Sequence, residues 1–164
     1  MANRVFIVRR EMLKLIEDLD APGMSRDETI QWEKIHMISS ACIGYELAVR
    51  RGVDPEIAST ACTLHDIGRV YTGKQQDHAR AGYKHALDFL TELNRKYTGL
   101  FTSGEIAEIA EAVSEHSNKD VTGTPLCEIV KDADVLDLHY YGIELPRPEQ
   151  KKRLENLLST RSSS

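Results

Sequence analysis

Between Asp54 and Gly68 the chain reads DPEIASTACTLHDIG, and this stretch limits the fold more than any other. Asp54 can cap a helix, and Pro55 suits the first helical position that follows. A short run of small and apolar residues, Ala61, Cys62 and Leu64 among them, then carries His65 and Asp66 side by side to the inner end of a helix that Gly68 closes. Burying either charge costs several kcal/mol, roughly, unless it is paired or metal-bound. The rest of the chain must therefore bring partners to this pair.

The surrounding sequence is punctuated as helices. A first helix is expected over about residues 3 to 19, stopping at Ala21-Pro22-Gly23. Ser25 with Glu28 reads as a capping box for a long second helix that Gly52 ends. Its apolar positions Ile35, Ile38, Cys42, Tyr45 and Val49 recur every three and four residues, with His36 near the start of that face. After the third helix comes a loop, VYTGKQQD, whose Asp77 can cap a helix from His78 to about Tyr97. Thr102 with Glu105 opens a helix striped by Ile106, Ile109, Val113 and His116. Thr124-Pro125 opens the next, with Leu126, Ile129, Val130, Ala133 and Leu136 on its stripe and Asp134 beside it. A last helix runs from about Pro148 to Thr160. No strand alternation, hairpin signal, Gly-rich phosphate loop or internal repeat interrupts this pattern. The expected architecture is all-α, a compact single-domain bundle of about six to seven helices over residues 1–160, with a frayed tail at 161–164.

A net charge of −5 argues against a general binder of nucleic-acid polymers, whose phosphates need a basic surface. It leaves room for a small phosphorylated ligand held by local cations. The three cysteines, Cys42, Cys62 and Cys127, form no CxxC pair, and each reads as a small buried hydrophobe in a reducing compartment. The N-terminal apolar run is too short for a signal-peptide core, and no segment approaches a membrane span. A cytoplasmic location is expected.

Six titratable side chains fall on or beside apolar helix faces: His36, His65, Asp66, His78, His116 and Asp134. One such histidine is more often a hydrogen-bonded core residue. Six such groups from five helices suit a divalent metal, because imidazole and carboxylate together are what such ions accept.

These residues carry a family resemblance. The order His36, then His65-Asp66, then Asp134 resembles the HD-domain superfamily of metal-dependent phosphohydrolases. LHDIGR is close to that family's Leu-His-Asp-x-Gly-Lys segment, DHARAG resembles its next helix start, and VKDADVLD matches its Ala-Asp-x-Leu-Asp ending. The likeness covers about residues 30 to 140. It implies that His36, His65, Asp66 and Asp134 hold one divalent ion (Mn, Fe, Co, Ni, Zn or Mg), with His65 and Asp66 at the centre of catalysis. It also implies hydrolysis of a phosphate ester or nucleotide by attack of metal-bound water. His78 and His116 lie where some members carry two further histidines, and complete either a second metal site bridged by Asp66 or a phosphate subsite. His85 reads as a core or supporting residue and His139 as a surface or helix-end residue.

Arg69 stands where the family commonly has lysine, as a phosphate clamp or a solvated side chain; Lys74, Arg80 and Lys131 are further phosphate-binding candidates. Asp77 is either a helix cap or a general acid or base. The expected partner is a small phosphorylated, nucleotide-like substrate, with no polymer or membrane, and self-association is left open. Two other classes compete: a non-catalytic metal- or nucleotide-binding module, and a helical interaction protein whose histidines are only packed.

Overall fold

A computed structural model describes residues 3–20 and 23–161. Among them are eight helices and no strand: α1 (Arg4–Asp18), α2 (Ile30–Arg51), α3 (Pro55–Leu64), α4 (Ile67–Thr72), α5 (His78–Tyr97), α6 (Ser103–Glu115), α7 (Pro125–Tyr140) and α8 (Pro148–Arg161). The all-α expectation holds. Seven of the helices are those read from the sequence. The eighth, α4, is a six-residue turn built from Ile67 onward, so the loop expected after the His-Asp pair shrinks to its second half. The Ala21-Pro22 stop and the end of the tail lie outside the described residues.

Side-chain caps explain most of the boundaries. Asp54 accepts from the backbone N–H groups of Glu56 and Ile57 and sets Pro55 at the first turn of α3. Thr102 and Glu105 form the reciprocal box that starts α6, and Thr124 caps α7. Two expected caps fail. The helix α2 is capped by Thr29, whose hydroxyl accepts from the Trp32 N–H, so the Ser25–Glu28 box does not form. Asp77 precedes α5 in a left-handed conformation (φ 55°), where its side chain makes no capping bond.

The helix α3 lies at the centre, every residue from Ile57 to Leu64 buried, with α2, α1, α6 and α7 packed around it. A helix apolar or small on every side has to be covered on every side. The helix α7 is nearly as enclosed, buried at every position from Leu126 to Asp137 except Glu128. The helix α5 pairs with α6 and closes over α4. At that crossing Gly68 lies against the His78 carbonyl, so closely that a Cβ would overlap it.

One reading is reversed. The stripe Ile35, Ile38, Cys42, Tyr45 and Val49 faces outward. The buried face of α2 is Glu33, His36, Met37, Ser40, Ala41, Gly44 and Ala48. Small residues point in because α2 packs closely on α3, and a Cβ at Gly44 would collide with Cys62. Cys42 is accordingly exposed, unlike the buried Cys62 and Cys127. None of the described helices is long and apolar enough to cross a membrane.

Candidate metal centre

Five helices deliver the six titratable side chains to one place. His36 comes from the buried face of α2, and His65 and Asp66 form the junction between α3 and α4. His78 is the first residue of α5, His116 follows the last residue of α6, and Asp134 comes from α7. All six are buried, none more than 9% exposed.

Each imidazole is fixed from behind through Nδ1. His65 donates to the Cys62 carbonyl at 2.7 Å, His78 to Gln75 at 2.6 Å and His116 to Val113 at 2.7 Å. In all three the acceptor lies three residues back in the chain, so the local turn itself sets the ring. His36 Nδ1 meets the Asp137 carboxylate at 2.5 Å. Every Nε2 therefore points into the centre, the arrangement that supporting hydrogen bonds impose on metal-ligating histidines.

The inward atoms crowd. His36 Nε2 lies 3.0 Å from His65 Nε2, and His78 Nε2 lies 3.0 Å from His116 Nε2. Each contact calls for a proton or a cation between the two nitrogens, and the carboxylates that raise the proton affinity of His36 and His78 favour positive charge there. Asp66 stands between the pairs. Its Oδ2 is 3.4 Å from His36 and 3.2 Å from His65, and its Oδ1 is 3.1 Å from His78 and 3.5 Å from His116. Asp134 Oδ1 joins the first pair, 3.2 Å from His36 and 3.8 Å from His65. Two groups, His36-His65-Asp66 and Asp66-His78-His116, each have ligand atoms close enough to hold an ion. Nitrogen and oxygen donors without a thiolate suit a divalent ion.

The electrostatics agree with that chemistry. Burial works against charge on Asp66, but Arg69 and His65 outweigh it and hold its carboxyl well below the usual carboxylate range. Burial likewise opposes charge on Asp134, and Lys119 overcomes it through a 2.6 Å ion pair to Oδ2. Burial pushes the His116 imidazole down to about 4, against the pull of Asp66, so this ring is neutral near pH 7. Burial also disfavours charge on His36, yet Asp134, Asp137 and Asp66 raise its proton affinity well above the ordinary imidazole. That is the field a cation would meet.

The expected phosphate-binding cations are scattered. Arg69 is neither solvated nor free: it is buried, paired with Glu33 and Asp66 and bonded to Gln75. Lys74 is on the surface with Asp27 and Ser25. The Lys131 ammonium is turned away, toward the Val121 carbonyl and Glu128. Arg80 and Asp77 line an adjacent depression of about 840 Å³. His85 stacks on Tyr71, and His139 is exposed near the end of α7.

The cavity over the centre, about 480 Å³, is walled by Trp32, Arg69, Gln75, Ser117 and Arg147 together with the titratable cluster. Sequence reasoning did not single out Trp32, Glu33, Lys119 or Arg147. Glu33 sits one turn before His36 on the same face and was open to the same argument. Lys119 and Arg147 leave no periodic signal, because both stand outside helices.

The residues between α2 and the end of α7 match one family model. It is the HD domain, over residues 34–138. The chain belongs to the HD domain family. YueE of Bacillus subtilis (strain 168), whose name assigns it provisionally to the phosphohydrolases, is 29% identical over 138 residues, spanning 74% of this chain and 77% of that protein. Ribonuclease Y of Chlorobium phaeobacteroides (strain DSM 266 / SMG 266 / 2430) is 30% identical over 124 residues, and the match covers 21% of that larger enzyme. The HD fold recurs in the crystal structure of a predicted HD superfamily hydrolase from an uncultured Thermotogales bacterium. That chain has 22% identity and a TM-score of 0.58, with 94% of this chain and 89% of the other covered.

Proposed function

We propose that this HD-domain chain is a metal-dependent phosphohydrolase acting on a small phosphate ester, nucleotides foremost. The observation that carries the reading is the division of Asp66, one carboxylate oxygen to each histidine pair inside a cavity that also holds arginine. His36, His65, Asp66 and Asp134 would hold one divalent ion. His78 and His116, sharing Asp66, favour a second ion over a bare phosphate subsite, because both turn Nδ1 to a backbone carbonyl and Nε2 toward the same carboxylate oxygen, a site that favours positive charge. Bound there, a divalent ion supplies Lewis acidity toward a phosphoryl oxygen and lowers the pKa of water.

The chain's own groups do the positioning. Arg69 fixes Asp66, and Lys119 holds Asp134 by Oδ2 and leaves Oδ1 to the centre. Arg147, lining the cavity with its Nη1 on the Ser117 carbonyl, is placed to meet a phosphate oxygen, a task given from sequence to Arg69, Lys74, Arg80 and Lys131. Trp32 offers an aromatic wall that suits a nucleobase. The net charge of −5 and the confined cavity favour a small substrate over an RNA strand.

The test is phosphate and nucleoside release from a panel of nucleotides, phosphate monoesters and a short single-stranded RNA. Chelated protein would be reloaded with individual divalent metals and run beside Asp66→Ala. Turnover that requires metal and disappears in a folded Asp66→Ala protein is the expected result. Nucleotide binding without turnover would make the chain a binding module. An RNA-only activity would overturn the small-substrate assignment.

A further inference from the structure

The outward face of α2 has the pattern of an inward one. Ile35, Ile38, Cys42, Tyr45 and Val49 are spaced 3, 4, 3 and 4, the a/d spacing of a seam between helices. At 3.6 residues per turn they occupy an arc of about 80°, centred about 145° from the buried residues of the same helix. All five are exposed, Tyr45 at 43% and Val49 at 59%. Phe6 of α1, 67% exposed, extends the patch through Arg9, whose guanidinium lies over the Phe6 ring at 5.9 Å and approaches Cys42 Sγ at 3.8 Å.

We propose that two copies of this chain associate through this seam, α2 against α2 in antiparallel register, with the two-fold axis near Cys42. Three observations select a second copy as the occupant. The spacing is that of a helical partner, and a C2 interface requires a patch that complements itself. This one does so by shape: the small Cys42 is central, so Ile35 and Ile38 of one copy meet Tyr45 and Val49 of the other. The size fits as well. Side chains this exposed present roughly 500 Å² of apolar surface per copy, at the upper end of what monomers show. Two such patches with their polar rims reach the roughly 1,200–2,000 Å² of a standard interface.

Charge disfavours the main rival, a membrane. The cations flanking the seam are offset by carboxylates, Lys34 by Glu17 at 2.8 Å and Arg50 by Glu46 at 3.9 Å, where an anionic lipid surface selects an unpaired basic band. The pairing would leave the metal centre open, since Glu33 and His36 lie on the opposite side of α2.

The full chain would be followed by sedimentation and light scattering from low micromolar to about 200 μM, beside Ile38→Glu and Val49→Glu. Both positions are exposed, so circular dichroism should show the wild-type helical fold in each variant. The expected result is a particle of twice 18.5 kDa in the wild type and a monomer in both variants. Mild oxidation should trap the wild-type dimer through Cys42, the exposed thiol, and should fail in Cys42→Ser. A wild type that stays monomeric throughout overturns the proposal, as does a dimer that survives both substitutions. A dimer never trapped through Cys42 overturns the register. Monomeric wild type that binds anionic vesicles, with binding lost in Ile38→Glu, would assign the face to a lipid surface instead.

Discussion

A lysine ammonium with no exposed surface is costly unless something holds it, and Lys119 is held by Asp134 at 2.6 Å and the Lys131 carbonyl at 3.3 Å. Its loop gave no sign of this, because a lysine between helices reads as solvated until the tertiary fold encloses it. Three of the histidines were legible for the opposite reason: His65, His78 and His116 stand at helix ends beside apolar residues, whereas His36 was read from a stripe that faces away from it. Lys119→Met keeps the volume and removes the charge, leaving Asp134 buried without its cation. About 3 kcal/mol of stability should be lost in the metal-free protein. Metal affinity should fall about 10- to 100-fold, the usual effect of removing a group that orients a ligand. Competition against a chelating dye measures the second quantity and urea unfolding the first. Unchanged affinity would mean that Asp134 is positioned by α7 alone.

At the scale of elements, the α4–α5 crossing sets the distance between Asp66 and His78. Gly68 is the contact point, and a Cβ there would overlap the His78 carbonyl and come within 2.8 Å of the Gly82 nitrogen. Gly68→Ala should cost about 1–3 kcal/mol, as overpacking does, and should loosen metal binding through displaced His78. A variant as stable as wild type, with unaltered affinity, would show that α5 can yield without moving the site. Another tie joins α1 to α5. Glu11 meets Lys96 at 2.7 Å and accepts from the Tyr97 hydroxyl at 2.8 Å; against the cost of burial these partners, with Lys14 and Arg10, pull its carboxyl from 4.5 to about 2. Because the folded value is the depressed one, the stabilisation is present above pH 4.5 and disappears as pH falls toward 2. Glu11→Gln should cost about 1 kcal/mol at pH 7 after allowance for solvent screening, and progressively less below pH 4.5. A pH-independent difference in unfolding midpoint would attribute the effect to packing. Element boundaries were largely readable, since Asp54, Thr102 and Thr124 cap as their sequences suggest. The orientation of α2 was not. Periodicity says that a face exists, and only the neighbours decide which face is covered; here α3 accepts Gly44 and Ala48, and the larger residues are left outside.

For the whole molecule, the centre is a concentration of buried donor atoms and negative charge that a cation would bridge. Four imidazoles and two carboxylates from five helices converge on a space in which ring nitrogens stand 3.0 Å apart. An ion bound there ties α2, α3, α5, α6 and α7 to one another, and its affinity adds to the folding free energy because the unfolded chain has no such site. At a concentration one hundred times its dissociation constant, a single ion contributes about 2.7 kcal/mol. For a chain of this length that raises the melting temperature by about 5–10 °C. The two histidine pairs make the number of ions testable in the same experiment. If each pair with Asp66 holds one, calorimetric titration of chelated protein should show two sites, and a doubly substituted His78→Ala, His116→Ala protein should retain one. That variant should keep part of the thermal shift, whereas Asp66→Ala, which takes an oxygen from both sites, should lose most of it. One site in the wild type, unaffected by the double substitution, would instead leave His78 and His116 to the substrate phosphate.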